Sequence, residues 1–181
     1  MTRIVCEAEN QEMQLKIDKY SDMLFKLCIL RLKNVQDAED VVQETFYQYV
    51  KRREVFESEE HEKAWLIRVA INSCRKVHRS AWNRHRSEED ESCLELLQRT
   101  ATISGSVEEK ILKKETSRML LQAVLGLPLK YRDVIHLFYY EGLTVKEIAQ
   151  ITDRKEATVT SQLTRGRMLL KKVLKEDYDF A

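Results

Sequence analysis

Glycine and proline are almost missing, with four Gly and one Pro in 181 residues. That scarcity excludes Gly/Pro-rich sandwiches and barrels, collagen-like repeats and long disordered tracts. The four cysteines, Cys6, Cys28, Cys74 and Cys93, form no C-x-x-C pair, and His61, His78, His85 and His136 stand at no ligand spacing to them. Neither a disulfide framework nor a metal site is expected, and the thiols read as reduced and structural. No run approaches the roughly 18 uncharged apolar residues of a membrane span, and the first residues, MTRIVCEAENQEMQ, lack the apolar centre of a signal peptide. The expected location is therefore cytoplasmic, without membrane insertion. A nucleophile-base pair and a phosphate loop are also missing, so no catalytic residue and no cofactor are expected.

What the chain does contain is charge, 34% of residues, and a hydrophobic fraction of 43%. This length holds one ordinary domain or two small ones, and a composition rich in Glu, Lys, Arg and Leu favours an all-α fold. The net charge of +1 hides a strong segregation of sign. Residues 36–62 carry nine acids against three bases, whereas Lys63 to Arg86 carries seven bases and no acid. Arg154 to Lys175 again holds seven bases, against the single acid Glu156. Two basic stretches far apart predict two anion-attracting surfaces on a nearly neutral protein.

Apolar periodicity predicts a first helix over Met13–Cys28, a second over Asp37–Arg52 and a third over Glu62–Arg79. The second buries Ala38, Val41, Val42, Thr45, Phe46 and Tyr49, the third Leu66, Val69, Ala70, Cys74 and Val77. Periodicity fades between Trp82 and Ser106, where Ser, Glu, Asp and Thr collect, the composition of a tether. The expected organisation is two small helical domains, residues 11–81 and 107–176, joined by a flexible linker over 82–106. The second group is expected to run from Val107 to just before Gly126-Leu127-Pro128, with the proline tolerated in a first helical turn. A helix carrying Tyr131, Val134, Ile135, Leu137 and Phe138 then stops at Glu141-Gly142 on a left-handed glycine.

Thr144-x-x-Glu147 reads as a capping box opening a short helix to Ile151, followed by a turn at Thr152-Asp153-Arg154 and a basic helix over Lys155–Lys175. Short helix, tight turn and basic helix make a helix-turn-helix. Asp153 either takes the left-handed conformation of the turn or caps the second helix through Asp153-x-x-Glu156. With Val159, Leu163 and Leu170 inward, Arg154, Thr158, Ser161 and Arg165 form the opposite face, suited to base edges in a major groove, while Lys155 and Arg167 suit phosphates. Gly166 inside this helix costs roughly 1 kcal/mol against alanine, which points to close backbone approach or to simple drift.

Asp37-Ala-Glu-Asp-Val-Val-Gln-Glu-Thr-Phe46, followed by Ala64-Trp-Leu-Ile-Arg-Val-Ala-Ile-Asn72, closely resembles regions 2.1 to 2.4 of bacterial sigma-70 family sigma factors. Leu127 to Gly142 resembles region 4.1 and the helix-turn-helix region 4.2. The short chain, with only a tether between the blocks, is similar to the extracytoplasmic-function (group 4) members. The resemblance spans about Tyr20 to Arg79 and Leu121 to Leu174. It implies a promoter-specificity subunit that binds core RNA polymerase through the β′ clamp helices and the β flap, recognises −10 and −35 promoter elements and assists strand opening. It leaves room for an anti-sigma factor.

Residue by residue, the resemblance places core-polymerase binding at Asp37, Asp40, Gln43, Glu44 and Phe46, an acidic edge with an aromatic anchor. It places −10 DNA contacts at Trp65, Arg68, Asn72, Arg75, Lys76 and Arg79. Trp65 is there open to two readings, a wedge against an unstacked base or a core tryptophan. The −35 contacts fall at Arg154, Lys155, Thr158, Ser161, Gln162, Arg165 and Arg167. The chain departs from the family at Thr160 and Gln162, where lysine and arginine are common, at Asp153, where glycine is, and at Arg154, where an apolar residue is. A −35 sequence preference therefore does not transfer. A stand-alone helix-turn-helix regulator would account for Thr144 to Leu170 and leave the N-terminal charge blocks unexplained. A regulator-binding protein that keeps a sigma-like fold is the third reading.

Overall fold

The computed structural model describes residues 2–52, 55–83, 97 and 107–178, with side chains over 11–52, 55–80, 97 and 117–175. Among the described residues there are helices α1 (Thr2–Leu32), α2 (Val35–Lys51), α3 (Glu59–Asn83), α4 (Val107–Gly126), α5 (Leu129–Tyr139), α6 (Val145–Thr152) and α7 (Glu156–Tyr178), and no strand. The all-α expectation holds. The chain divides into two compact units, Met1–Glu88 and Glu89–Ala181. The expected tether over 82–106 lies, apart from 82, 83 and Leu97, outside the described residues. No helix among the described residues is long and apolar enough to cross a membrane.

In the first unit α1, α2 and α3 pack pairwise around Leu24, Leu27, Cys28, Ala38, Val41, Leu66, Ile67, Ala70, Ile71 and Cys74, all at most 3% exposed. The expected stripe of α1 is the part that packs, but the helix reaches back to Thr2 because residues 2–12 contain no proline or glycine to stop it. It ends at Leu32, Lys33 turns the chain with φ of 54°, and Asn34 caps α2, its Oδ1 accepting from the Asp37 N–H at 2.9 Å. α2 thus begins at Val35, two residues before the expected Asp37. Periodicity located the stripe and overlooked the cap.

The second unit packs Ala123, Val124, Leu127, Val134, Ile135, Leu137, Ile148, Ala149, Ile151, Val159 and Leu163. Pro128 is the N-cap of α5 rather than part of its first turn, and its carbonyl accepts from the amides of Tyr131 and Arg132. Six consecutive residues, Arg132 to Leu137, are buried, so this short helix is enclosed on every side and carries Arg132, Asp133 and His136 inside. Gly142 takes a φ of 69° after α5, as the left-handed stop requires. Gly166 is buried, and a Cβ there would stand 3.1 Å from Ile135 Cγ1. Close approach of α7 to α5, rather than drift, accounts for it. Leu170, expected in the core, is only half-buried, because beyond Gly166 no described side chain of α7 is fully buried.

Candidate nucleic-acid and polymerase interfaces

α3 presents one basic face. Arg68, Asn72, Lys76 and Arg79 are exposed and Arg75 half-buried, at the three- and four-residue steps that align side chains on a helix. Arg75 Nη1 donates to Asn72 Oδ1 at 3.1 Å, ordering the pair. Trp65 is neither a wedge standing clear nor a buried core residue. Half-buried, it lies 5.6 Å from the Phe56 ring and 6.2 Å from Tyr49, with the Arg52 guanidinium 5.2 Å above it. Arg52 also stacks 4.4 Å from Phe56, and Tyr49 lies nearly parallel to Phe56 at 5.8 Å. Sequence reading missed Arg52 and Phe56 as members of this cluster; a lone phenylalanine in an acid-rich stretch was the available signal.

The start of α3 is held by Glu62, a residue that counting charges placed among the nine acids of residues 36–62. It is 4% exposed and accepts from Lys16 at 2.7 Å, Tyr20 at 2.8 Å and the Tyr49 hydroxyl. Burial opposes its ionisation, but the hydrogen bonds from Lys16, Tyr49 and Tyr20 more than offset it and hold the carboxyl below its usual range. Burial, then the hydrogen bond to Glu62 and its charge, raises both phenols. One carboxylate thus ties α1 and α2 to α3 at the edge of the aromatic cluster.

On α2, Asp40, Gln43 and Glu44 are exposed and Asp37 half-buried, forming the acidic edge. Phe46 does not belong to it. The residue is 8% exposed and packs into the three-helix core, so it is corrected from a partner-facing anchor to a core side chain. The apolar surface beside the acids comes instead from Phe25 of α1 and Val42, both half-buried, which floor an open groove with Ser21, Asp22, Glu39 and Gln43.

In the second unit the capping box forms in full. Thr144 Oγ1 accepts from the Glu147 N–H at 3.3 Å, and Glu147 Oε2 accepts from the Thr144 N–H at 2.7 Å. Bonds from the Thr144 hydroxyl and backbone lower the Glu147 pKa. Of its two alternatives Asp153 takes the turn, with φ 55° and ψ 51°, and the amides of Asp153 and Arg154 both donate to Ala149 O. Thr158, Ser161 and Arg165 are exposed together on α7, with Lys155 and Arg167 also exposed. The cation of Arg165, with that of Lys130, pulls the Tyr131 phenol below its usual range, and Arg167 lies 5.5 Å from both the Phe138 and Tyr139 rings.

Arg154 departs from the expected outward face, and Gln162, expected as a −35 contact, turns inward with it. Both are half-buried, Arg154 Nη1 donating to Gln162 Oε1 at 3.0 Å and Nη2 lying 3.3 Å from Asp133 Oδ2. The buried acid on α5 draws them inward, a partner that periodicity along α7 alone does not reveal.

Comparison with known proteins agrees with this layout. Residues 17–84 match Sigma-70 region 2, and residues 117–170 match Sigma-70, region 4. The chain is 30% identical over 163 residues to the ECF RNA polymerase sigma factor SigW of Bacillus subtilis, covering 88% of this chain and 87% of that one. It is 31% identical over 166 residues to the sigma factor SigV of the same organism, covering 89% and 90%. The fold is like that of the sigma factor RpoE in its complex with the anti-sigma factor NepR from Bartonella quintana. TM-score there is 0.65 at 21% identity, over 91% of this chain and 98% of that one. With both sigma regions present in order, one on each helical unit, the chain belongs to the extracytoplasmic-function sigma factors of the sigma-70 family and is a promoter-specificity subunit of RNA polymerase.

Proposed function

We propose that the two basic faces divide the promoter between them while the acidic edge of α2 holds the polymerase. The observation that carries this reading is the sorting of charge by element. Asp40, Gln43 and Glu44 are exposed on α2, whereas the exposed side of α3 from Arg68 to Arg79 is basic and without acids. An acidic rim over the apolar floor of Phe25 and Val42 suits a basic helical partner, the role of the β′ clamp helices. On α3, Arg68, Arg75, Lys76 and Arg79 follow the phosphates of one −10 strand, Asn72 meets a base edge, and the Trp65 cluster offers a stacking surface to unpaired bases. In the second unit, Thr158, Ser161 and Arg165 enter the −35 major groove while Lys155 and Arg167 contact phosphates, and the unit docks on the β flap.

In this reading the chain is a non-catalytic initiation factor acting in the cytoplasm, with domains 11–81 and 107–176 on either side of a tether over 82–106. An anti-sigma factor is the class of regulator that would hold it inactive. The division of the chain at Glu88/Glu89 supports a boundary within that tether. Reconstituted transcription with core polymerase on a pool of upstream regions tests the whole. The expected result is initiation at a defined promoter class that depends on added chain. DNA binding without core polymerase and without initiation would instead support a stand-alone regulator.

A further inference from the structure

Asp133 lies within the enclosed stretch of α5, its side chain 1% exposed. A carboxylate so placed is tolerated when donors reach it. Arg154 is one such donor, and it arrives from the turn of the helix-turn-helix rather than from α5 itself. Its backbone is fixed by the bond to Ala149 O at 2.9 Å and by the left-handed Asp153 before it. Its guanidinium then spans two acceptors, Asp133 Oδ2 on α5 at 3.3 Å and Gln162 Oε1 on α7 at 3.0 Å. A planar fork with several donors can serve two acceptors on different helices at once; an ammonium on a flexible stem fits that task poorly. Thr158 and Ser161 lie between residues 154 and 162, within the segment that the bridge pins.

We propose that Arg154 is a positioning residue. The Asp133–Arg154–Gln162 bridge fixes the seating of α7 on α5, and with it the angle at which Thr158, Ser161 and Arg165 are presented to DNA, while Arg154 itself reads no base. The inference rests on the reading that α7 enters the −35 major groove. It assigns Asp133 and Gln162, neither of which faces DNA, to the specificity of the complex.

The test uses the full chain assembled with core polymerase and a library randomised at the −35 element, with affinity and base preference read at each position. Arg154→Ala and Asp133→Asn should each weaken the preferred −35 sequence about tenfold, with the order of preferred bases unchanged, and the double variant should lose no more than the worse single one. Gln162→Arg added to Arg154→Ala places a cation within reach of Asp133 and should recover most of the loss. Arg154→Lys keeps the charge beside Asp133 and serves where the alanine variant fails to fold; it should lose about threefold with the base order unchanged. Loss of preference at one base position in either Arg154 variant, with Asp133→Asn leaving that position intact, would overturn the proposal. So would full additivity of the Asp133 and Arg154 effects. A parent chain that selects no −35 sequence would instead sink the groove reading itself, and the positioning role with it.

Discussion

Each helical unit buries an acid, and the two acids sit differently with respect to the surfaces that recognise DNA. In the first unit Glu62 gathers Lys16, Tyr20 and Tyr49 from α1 and α2, so it closes the bundle at the start of α3, while the basic face begins later, at Arg68. In the second unit Asp133 meets Arg154 in the turn that launches the recognition helix. The first unit separates what holds it together from what it presents. The second, with helices as short as the eight residues of α6, has no room for that separation. Disturbing Glu62 should unfold, whereas disturbing Asp133 should misdirect.

The largest effect that would break this contrast is expected at Glu62. Replacing it with alanine leaves two phenols and an ammonium facing a lost acceptor and should cost about 2–4 kcal/mol of stability. Trp65 sits beside Tyr49 in the first unit, so with Trp82 replaced by Phe in parent and variant alike, urea unfolding followed by tryptophan fluorescence reads that unit. The same group fixes an acid limit. Because the folded pKa of Glu62 lies below its ordinary 4.5, its contribution is complete above about that pH and is lost as the pH falls through the depressed folded value. Glu62→Gln should flatten that part of the stability-pH curve; an unchanged curve would remove Glu62 as the hub.

Next in size is the acidic edge. Asp40→Lys with Glu44→Lys should weaken core-polymerase binding by more than about 2 kcal/mol through lost and reversed interfacial charges, with helicity by circular dichroism unchanged. Equal affinity for parent and variant would leave the acidic edge without its partner. The second unit should show a smaller effect at its capping box. Thr144→Ala removes one arm of the capping box and should lower the stability of the second unit by about 1 kcal/mol, read from thermal unfolding followed by circular dichroism.

Legibility in the sequence followed the range of the forces involved. Local signals were readable: the capping box at Thr144, the left-handed Gly142 and the apolar stripes of α1 to α3 all depend on residues within a few positions of each other. Asp153 could not be settled locally, because the turn and the second cap compete for the same residue and the surrounding packing decides. Phe46 was misread as an anchor because an apolar residue on an amphipathic helix serves core or partner equally well until the third helix is in place. Glu62, Arg154 and Gln162 lay beyond pattern reading altogether. Their partners are 46, 21 and eight residues away, and a charged side chain turns inward only when another element brings it a partner.

One binding series separates the work of α3 on DNA from that of α7. Polymerase assembled with the parent chain, with Arg165→Ala, and with Arg75, Lys76 and Arg79 neutralised is titrated on promoters bearing matched or scrambled −35 elements across a range of salt. Neutralising the α3 cations should lower the salt slope by about one unit per lost phosphate contact and weaken strand opening, with the matched-to-scrambled ratio preserved. Arg165→Ala should reduce that ratio by about 1–3 kcal/mol while leaving opening intact. A uniform loss on matched and scrambled elements alike for Arg165→Ala would mean that α7, like α3, only holds phosphates at this position.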